Sequence, residues 1–209
     1  HHAASQENQK ALEGTFVATL GMSATVERAG DSGLQTNISS TLGKIVYRYD
    51  LNAASSDGII SLFDLINVRI DLGHDEQEAY NKLSARIARL ARNKTDPDAV
   101  ERIKILLQRR SRISAMARLR VPVAAKLIDT HRGARAMVFH ESVEEATRLL
   151  LFLKERGHSA TIYHSRIAAP LRRDNLRLYR KGVFDVLVSC RALDEGINIP
   201  ETQLAVIAS

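Results

Sequence analysis

Three short segments of the sequence combine hydroxyl, basic or acidic side chains at points where an apolar run has just ended. They are Gly21–Thr25, Tyr163–Arg166 and Ser189–Pro200. Hydroxyl groups in the first segment can bridge a phosphate site and a neighbouring segment. In the second, Ser165, Arg166 and backbone N–H groups can together hold a phosphate. These residue types point to chemistry on phosphate groups.

The third segment carries the most charge. Arg191 is followed by the acidic residues Asp194 and Glu195, and Gly196 then permits a close approach of the backbone. Such a loop can contact more than one ligand. Each segment also has a plainer interpretation: a Ser/Thr-rich turn for the first, a loop leading into a helix for the second, and a solvated acidic pair for the third. His164 alone is equally consistent with a hydrogen-bonded buried histidine.

Strands and helices alternate in the second half of the chain, and this alternation places two of the segments at strand ends. The predicted strands are 136–140, 160–163, 184–189 and 203–207, and the helices between the first three are 142–157 and 171–181. Ser142 and Glu145 have the spacing of a capping box at the first of these helices. Short strands that alternate with helices predict an α/β fold with a parallel sheet. Ligands of such sheets bind at the carboxyl ends of the strands.

The first half of the chain has a different pattern, in which strands precede helices. The predicted strands are 15–20, 44–49 and 65–72, and the predicted helices are 75–93, 98–114 and 123–130. The character of the sequence changes at Gly73. We therefore expect two domains, 1–72 and 73–209, of which the second begins with a helical lead-in.

Composition limits the partners that the chain can have. The 209 residues include 30 Lys and Arg against 24 Asp and Glu, which gives a formal net charge of +6. This balance favours nucleic acid as a partner, although it can also serve solubility alone. Cys190 is the single cysteine, which excludes an internal disulfide and suits an intracellular setting, cytoplasmic, nucleoid or nuclear. No apolar run approaches the roughly 20 residues of a membrane span, and no histidines have metal-ligand spacing, so neither a membrane partner nor a metal site is predicted.

The predicted helices between the two halves are rich in cations. These cations can track a phosphate backbone, or they can form a solvated face with the acids Glu76, Glu78 and Glu101 as partners. Both interpretations remain open from sequence. The cations are Arg86, Arg89, Arg92, Lys94, Arg102, Lys104, Arg109, Arg110, Arg112, Arg118 and Arg120.

Taken together, the segments resemble the conserved motifs of superfamily 2 helicases in the family's order. Val186–Pro200 resembles motif V, Leu20–Arg28 resembles motif III and the loop after it, and Met137–Glu141 resembles motif IV. Tyr163–Ser165 is similar to the nucleic-acid contact motif that follows, and Gly43–Leu51 to a strand segment between motifs III and IV. The resemblance covers essentially the whole chain. It is closest to the DExH branch that includes XPB-like helicases and type III restriction subunits.

This resemblance implies RecA-like parallel sheets flanked by helices, comprising the end of a first RecA-like domain and most of a second. ATP and Mg²⁺ would lie between the two domains and a nucleic-acid strand, DNA in preference to RNA, across their top. The residues that couple the two sites would be Ser23, Ala24 and Thr25. The nucleic-acid contacts would be His164, Ser165, Arg166, Ser189, Cys190 and Arg191. The nucleotide contacts would be Glu195, Gly196 and Asn198, the last at a position where many relatives have Asp.

Other motifs of the family do not occur in the sequence. There is no Gly-x-x-x-x-Gly-Lys-Ser/Thr loop, no Asp-Glu pair of motif II and no arginine-rich motif VI. We therefore expect a helicase fragment that runs from just after motif II to just after motif V, needs its missing segments or a companion subunit, and hydrolyses no ATP alone. His1 and His2 fit the residues after motif II in this branch, or a purification tag. The alternative function is a non-catalytic nucleic-acid-binding or scaffold module, and no Gly-x-Gly-x-x-Gly fingerprint supports another Rossmann-like enzyme.

Overall fold

The fold is described by a computed structural model of the chain. The residues it describes are 16–22, 42–92, 98–190, 199 and 201–208. By its internal contacts the chain divides into two compact units, 1–66 and 67–209, which are described separately. The domain division between residues 72 and 73 stays a prediction.

The described part of the first unit includes a short helix, α1, at Leu51–Ser56. Asp50 caps it, since the Asp50 carboxylate accepts a hydrogen bond of 2.9 Å from the backbone N–H of Ala53. The strands predicted at 15–20 and 44–49 are wrong wherever these residues are described, because the backbone there is extended or bent without pairing. A strand exists only through its ladder of hydrogen bonds to a neighbour, and the described residues of this unit supply none.

The second unit begins with an extended segment and three helices. The strand predicted at 65–72 is also wrong, for the same lack of a ladder partner. The three predicted helices are confirmed as α2 (His74–Arg92), α3 (Ala99–Ala115) and α4 (Arg120–Thr130). The first two pack on each other, and the Arg110 guanidinium lies 5.3 Å from the centroid of the Tyr80 ring at their contact.

Four parallel strands form the sheet of the second unit. They are β1 (Ala136–His140), β2 (Ala160–His164), β3 (Val186–Cys190) and β4 (Leu204–Ile207). Helix α5 (Val143–Glu155) connects β1 to β2, and α6 (Ala169–Arg180) connects β2 to β3. The order across the sheet is β2-β3-β1-β4, with all neighbours parallel. The predicted α/β class with a parallel sheet flanked by helices is confirmed.

Alternation along the strands divides the core into two layers. Val138, Val186 and Val188 pack on one face of the sheet, against α4 and α5. Met137 and Leu187 point to the other face, where the fully buried Tyr179 of α6 covers them. The two central strands, β1 and β3, are therefore buried on both faces, which explains why they read as continuous apolar runs in the sequence.

Local signals set the ends of the helices. Gly157 and Gly182, with φ of 79° and 76°, follow α5 and α6 and take the left-handed conformation that favours glycine. Ser142 caps α5, and its hydroxyl accepts from the backbone N–H of Glu145 at 3.3 Å. The other half of the predicted capping box is wrong, because the Glu145 carboxylate accepts from Arg148 at 3.2 Å instead.

Within the described residues, no helix has both the length and the apolar character needed to cross a membrane.

Candidate nucleic-acid interface

The last residues of β1, β3 and β2 form a row at the carboxyl edge of the sheet. Cys190 is in register with His140 on one side and His164 on the other. All three side chains follow the alternation of the face that packs on α4 and α5, and only 3% of His140, 4% of Cys190 and 8% of His164 is exposed. The three side chains therefore form a buried floor beneath the loops that follow these strands. In the described part of the chain, no three His, Cys, Asp or Glu residues are placed to hold a metal.

Both histidines of the row fix the loop that follows them. The Nδ1 atom of His140 accepts from the backbone N–H of Ser142 at 3.0 Å, and that of His164 accepts from the N–H of Arg166 at 3.2 Å. A neutral imidazole that accepts at Nδ1 carries its proton on Nε2. Burial lowers the pKa of both histidines, which favours this neutral form. His164, a predicted nucleic-acid contact, thus lies buried and supports the backbone of Arg166.

Arg166 projects from the loop after β2 and meets a carboxylate from the first turn of α5, the helix that follows β1. Its Nη1 atom donates to Oε1 of Glu144 at 2.5 Å, and both side chains are 66% exposed. The hydroxyl of Ser142 donates to the other carboxylate oxygen at 2.8 Å. These bonds lower the pKa of Glu144 to about 2, with the Ser142 hydroxyl as the largest cause, so the carboxylate is ionised at neutral pH. Arg166 and Glu144 form a surface ion pair that spans two strand ends.

The other predicted contacts that the structure describes lie on different surfaces of the same edge. Ser165 is exposed beside Arg166. Ser189 is fully buried and faces the α6 side of the sheet, since it alternates with Cys190. Its Oγ atom has no hydrogen-bond partner among the described residues. Thus the structure brings the predicted residues of β2 and β3 to one edge but exposes only those of the loop after β2.

The remaining predicted site residues lie outside the described residues. They are Ser23, Ala24 and Thr25 of the predicted coupling motif, Arg191 of the nucleic-acid set, and Glu195, Gly196 and Asn198 of the nucleotide set. Their roles stay predictions.

Sequence reasoning did not identify His140 and Glu144 as parts of this edge. The histidines themselves have a signal in the sequence, because His140 and His164 are each the last residue of a strand. Histidine there can accept from the N–H two residues later, as asparagine does in a turn. The pairing of Glu144 with Arg166 has no such local signal, since 22 residues separate the two.

The amino edge of the same sheet holds a second cluster of charges. The Asp129 carboxylate of α4 accepts from Nε of Arg156 at 2.7 Å and lies 2.7 Å from Nε2 of His158. Arg156, followed by His158, lowers the pKa of Asp129 to about 2. Arg132 adds a hydrogen bond of 2.9 Å to the carbonyl oxygen of Arg156. These groups satisfy one another and tie α4 to the turn before β2.

Arg135 and Tyr179 form another contact at the amino edge. The Arg135 guanidinium lies 4.8 Å from the centroid of the Tyr179 ring and also donates to the Tyr179 carbonyl oxygen. The Tyr179 hydroxyl is 3.1 Å from that of Thr202, just before β4. This contact joins the end of α6 to the segments that lead into β1 and β4.

Comparison with known proteins finds similarity in the part of the chain that forms this edge. Residues 119–209 match the family model described as helicase conserved C-terminal domain. UvrABC system protein B of Streptococcus uberis is 38% identical over 78 residues, and the protein of the same name from Streptococcus thermophilus has the same identity and length of match. Each match covers 37% of this chain and 12% of the relative, so the chain corresponds to a small part of these proteins.

The fold has a counterpart among solved structures. The SWI2/SNF2 ATPase C-terminal domain of Sulfolobus solfataricus aligns with a TM-score of 0.54 at 13% identity, covering 66% of this chain and 68% of that domain. At this identity the likeness concerns the fold alone. The second unit thus has a RecA-like α/β fold, and its residues 119–209 are similar to helicase C-terminal domains.

Proposed function

We propose that this chain is part of an ATP-dependent helicase or translocase that moves along DNA. The observation that carries the proposal is the carboxyl edge of the sheet, where an exposed Ser165 and Arg166 rise from the buried row of His140, Cys190 and His164. The helicase C-terminal family match over residues 119–209 supports the ATP-dependent, helicase-type function.

In this proposal the nucleic-acid backbone crosses the loop after β2. Arg166 supplies a bidentate guanidinium, and Ser165 supplies a hydroxyl, for contacts to phosphate oxygens. Arg191 would serve the same strand from the end of β3, and Ser189 and Cys190, which are buried, would position it. Because these contacts are to phosphate rather than to base edges, binding would depend steeply on salt and little on sequence.

The nucleotide would bind through residues that follow β3. Glu195, Gly196 and Asn198 are proposed for the nucleotide, and Ser23, Ala24 and Thr25 for coupling its hydrolysis to strand movement. ATP with Mg²⁺ would supply phosphoryl transfer, in which fixed charges stabilise the transferring group. Membership of the DExH branch, with XPB-like or restriction-subunit-like relatives, stays a prediction, since the curated relatives above are UvrB proteins.

Binding to labelled single-stranded DNA and RNA oligonucleotides tests the interface. Arg166→Ala should weaken binding severalfold and reduce the slope of log affinity against log salt by about 1, the loss of one phosphate contact. Arg177→Ala is the matched control, because Arg177 is also exposed and ion-paired but lies in the last turn of α6. Equal losses in the two variants would refute a contact at Arg166, and tighter binding of RNA would overturn the DNA preference.

Turnover by the intact protein tests the enzymatic part. ATP hydrolysis should rise when DNA is added, and Arg191→Ala should reduce this stimulated turnover more than the basal turnover. Equal loss of stimulated and basal turnover would indicate that Arg191 contacts the nucleotide or stabilises the fold instead. The isolated chain should hydrolyse no ATP. Nucleic-acid binding without any ATP hydrolysis by the intact protein would instead establish the non-catalytic module.

A further inference from the structure

The ion pair between Glu144 and Arg166 joins the start of α5 to the loop after β2, two segments that the sheet order keeps apart. Glu144 follows β1 and Arg166 follows β2, and β3 lies between these strands. The bond of 2.5 Å from Arg166 Nη1 to Glu144 Oε1 therefore crosses the end of β3 and the row of buried side chains below it. It is a long-range contact within the proposed interface, not a pair of neighbours on one helix.

The Glu144 carboxylate is held in place as well as charged. Ser142 donates its hydroxyl hydrogen to the carboxylate oxygen that Arg166 does not use, at 2.8 Å. Glu144 also lies in the first turn of α5, where the helix dipole favours a negative charge. The backbone N–H of Ser142 in turn donates to Nδ1 of His140 at 3.0 Å, which fixes the position of Ser142. Arg166 thus faces a positioned anion and not a mobile acid.

A carboxylate and a phosphate compete for the same donors of a guanidinium. Arginine binds both groups through the same planar fork of N–H bonds. Two-thirds of each side chain is exposed, so a phosphate can reach Arg166 from solvent and Glu144 can turn away without opening a cavity. The Glu144 carboxylate is negatively charged and lies within hydrogen-bond distance of the Arg166 guanidinium. It therefore occupies the place that a phosphate of the nucleic acid would take.

We propose that Glu144 is an affinity-determining residue of the interface, which occupies Arg166 in the free protein and must be displaced by a backbone phosphate. This inference rests on the proposed nucleic-acid function. The consequence is that the interface binds more weakly than its cations alone would allow, so the strand can be released and bound again as the protein moves. Because exposed ion pairs are weak, removal of the Glu144 charge should tighten binding about two- to fivefold.

The first test is a double-mutant cycle on single-stranded DNA and RNA oligonucleotides of equal length. Glu144→Gln keeps the shape of the side chain and removes its charge, and should tighten binding about two- to fivefold at low salt. Glu155→Gln is the matched control, since it removes the same charge from the exposed far end of α5 and should change binding by less than about 1.5-fold. In an Arg166→Ala background, Glu144→Gln should have no effect beyond that control.

The cycle separates competition from other effects of charge. If Glu144→Gln leaves the affinity unchanged, weakens it, or tightens it equally without Arg166, competition is refuted. An effect of the same size from Glu155→Gln would assign the change to net charge alone. If the unaltered protein binds neither oligonucleotide, the proposed function itself fails, and that outcome is distinct from the others.

The second test needs no nucleic acid. An arginine-selective dicarbonyl such as phenylglyoxal modifies the guanidinium, and mass spectrometry of the digested protein measures the rate at Arg166. Glu144→Gln should raise that rate about twofold or more, while Glu155→Gln leaves it unchanged, because Glu144 bonds to the guanidinium and Glu155 lies at the far end of α5. An unchanged rate in Glu144→Gln would overturn the inference even if the protein binds nucleic acid.

Discussion

The two edges of the parallel sheet use similar side chains in opposite ways. At the amino edge, Asp129 is shared between Arg156 and His158, and its side chain is only 24% exposed. At the carboxyl edge, the histidines are buried in the floor, and Glu144 meets Arg166 in solvent. The amino edge shields its carboxylate and histidine between the elements they join, whereas the carboxyl edge presents both members of its ion pair to solvent.

This difference separates side chains that stabilise the fold from side chains that can meet a partner. A charge whose contacts are all internal is displaced only by unfolding. A charge paired at the surface exchanges its partner at little cost, because water and salt already weaken the pair. We therefore expect substitutions at the amino edge to change stability, and substitutions in the loops of the carboxyl edge to change binding.

The largest effect on stability should come from Tyr179, the buried ring of the amino edge. Tyr179→Ala removes a fully buried aromatic side chain and should lower the free energy of unfolding by about 3–5 kcal/mol. Tyr179→Phe keeps the ring and loses only the contact with Thr202, at about 1 kcal/mol. Urea unfolding followed by circular dichroism measures both. Similar losses in the two variants would show that the hydroxyl, and not the ring, dominates.

Asp129→Asn should have the next largest effect, and one that depends on pH. The pKa of Asp129 in the folded protein, about 2, is below its ordinary value of 3.8. Its stabilisation is therefore complete above about pH 4 and is lost as the pH falls towards 2. Thermal unfolding from pH 2 to 6 should show a fall in Tm at the acid end that is smaller in Asp129→Asn. Glu155→Gln, the control, should show the same fall in Tm as the unaltered protein.

The histidines of the carboxyl edge should contribute a smaller effect in a different pH range. Burial lowers the pKa of His140 and His164 in the folded protein below the ordinary value of 6.5, so the unfolded chain binds protons first. Stability should therefore be highest above about pH 6.5 and decline as the pH falls through the folded values. Asparagine at both positions can accept from the same backbone N–H without titrating. The double variant should show a shallower decline in Tm between pH 7 and 5; an unchanged profile would exclude these histidines as its source.

The smallest effect on stability should come from Arg166→Ala. Arg166 is exposed and its ion pair with Glu144 is in solvent, so the free energy of unfolding should change by less than about 0.5 kcal/mol, although binding of nucleic acid falls. Urea unfolding of this variant beside Tyr179→Ala measures the contrast between the two edges. A large loss of stability in Arg166→Ala would remove the distinction drawn between them.

The sequence predicted the second unit more closely than the first for a physical reason. Strands β1 to β3 are largely buried and are separated by helices that end near Gly157 and Gly182, so their runs and boundaries are visible locally. The segments 15–20, 44–49 and 65–72 have the same β-forming residues. A strand, however, depends on a partner elsewhere, and the composition of a segment does not reveal whether it has one.

The same limit applies to the candidate site. Ser165 and Arg166 were predicted because they follow a strand, and strand ends can be located from periodicity. The row of His140, Cys190 and His164, and the pairing of Glu144 with Arg166, depend on the placement of β3 between β1 and β2. Strand order is a property of the assembled sheet, so these contacts become visible only in three dimensions.

The position of β3 also has a consequence for synthesis on the ribosome. Strands β1 and β2 do not pair with each other. Both pair with β3, which lies between them. A nascent chain that has not yet released residues 186–190 can form its helices but cannot join its first two strands. Folding of this unit during translation should therefore be delayed and then abrupt, and the row of His140, Cys190 and His164 should assemble in that single late step.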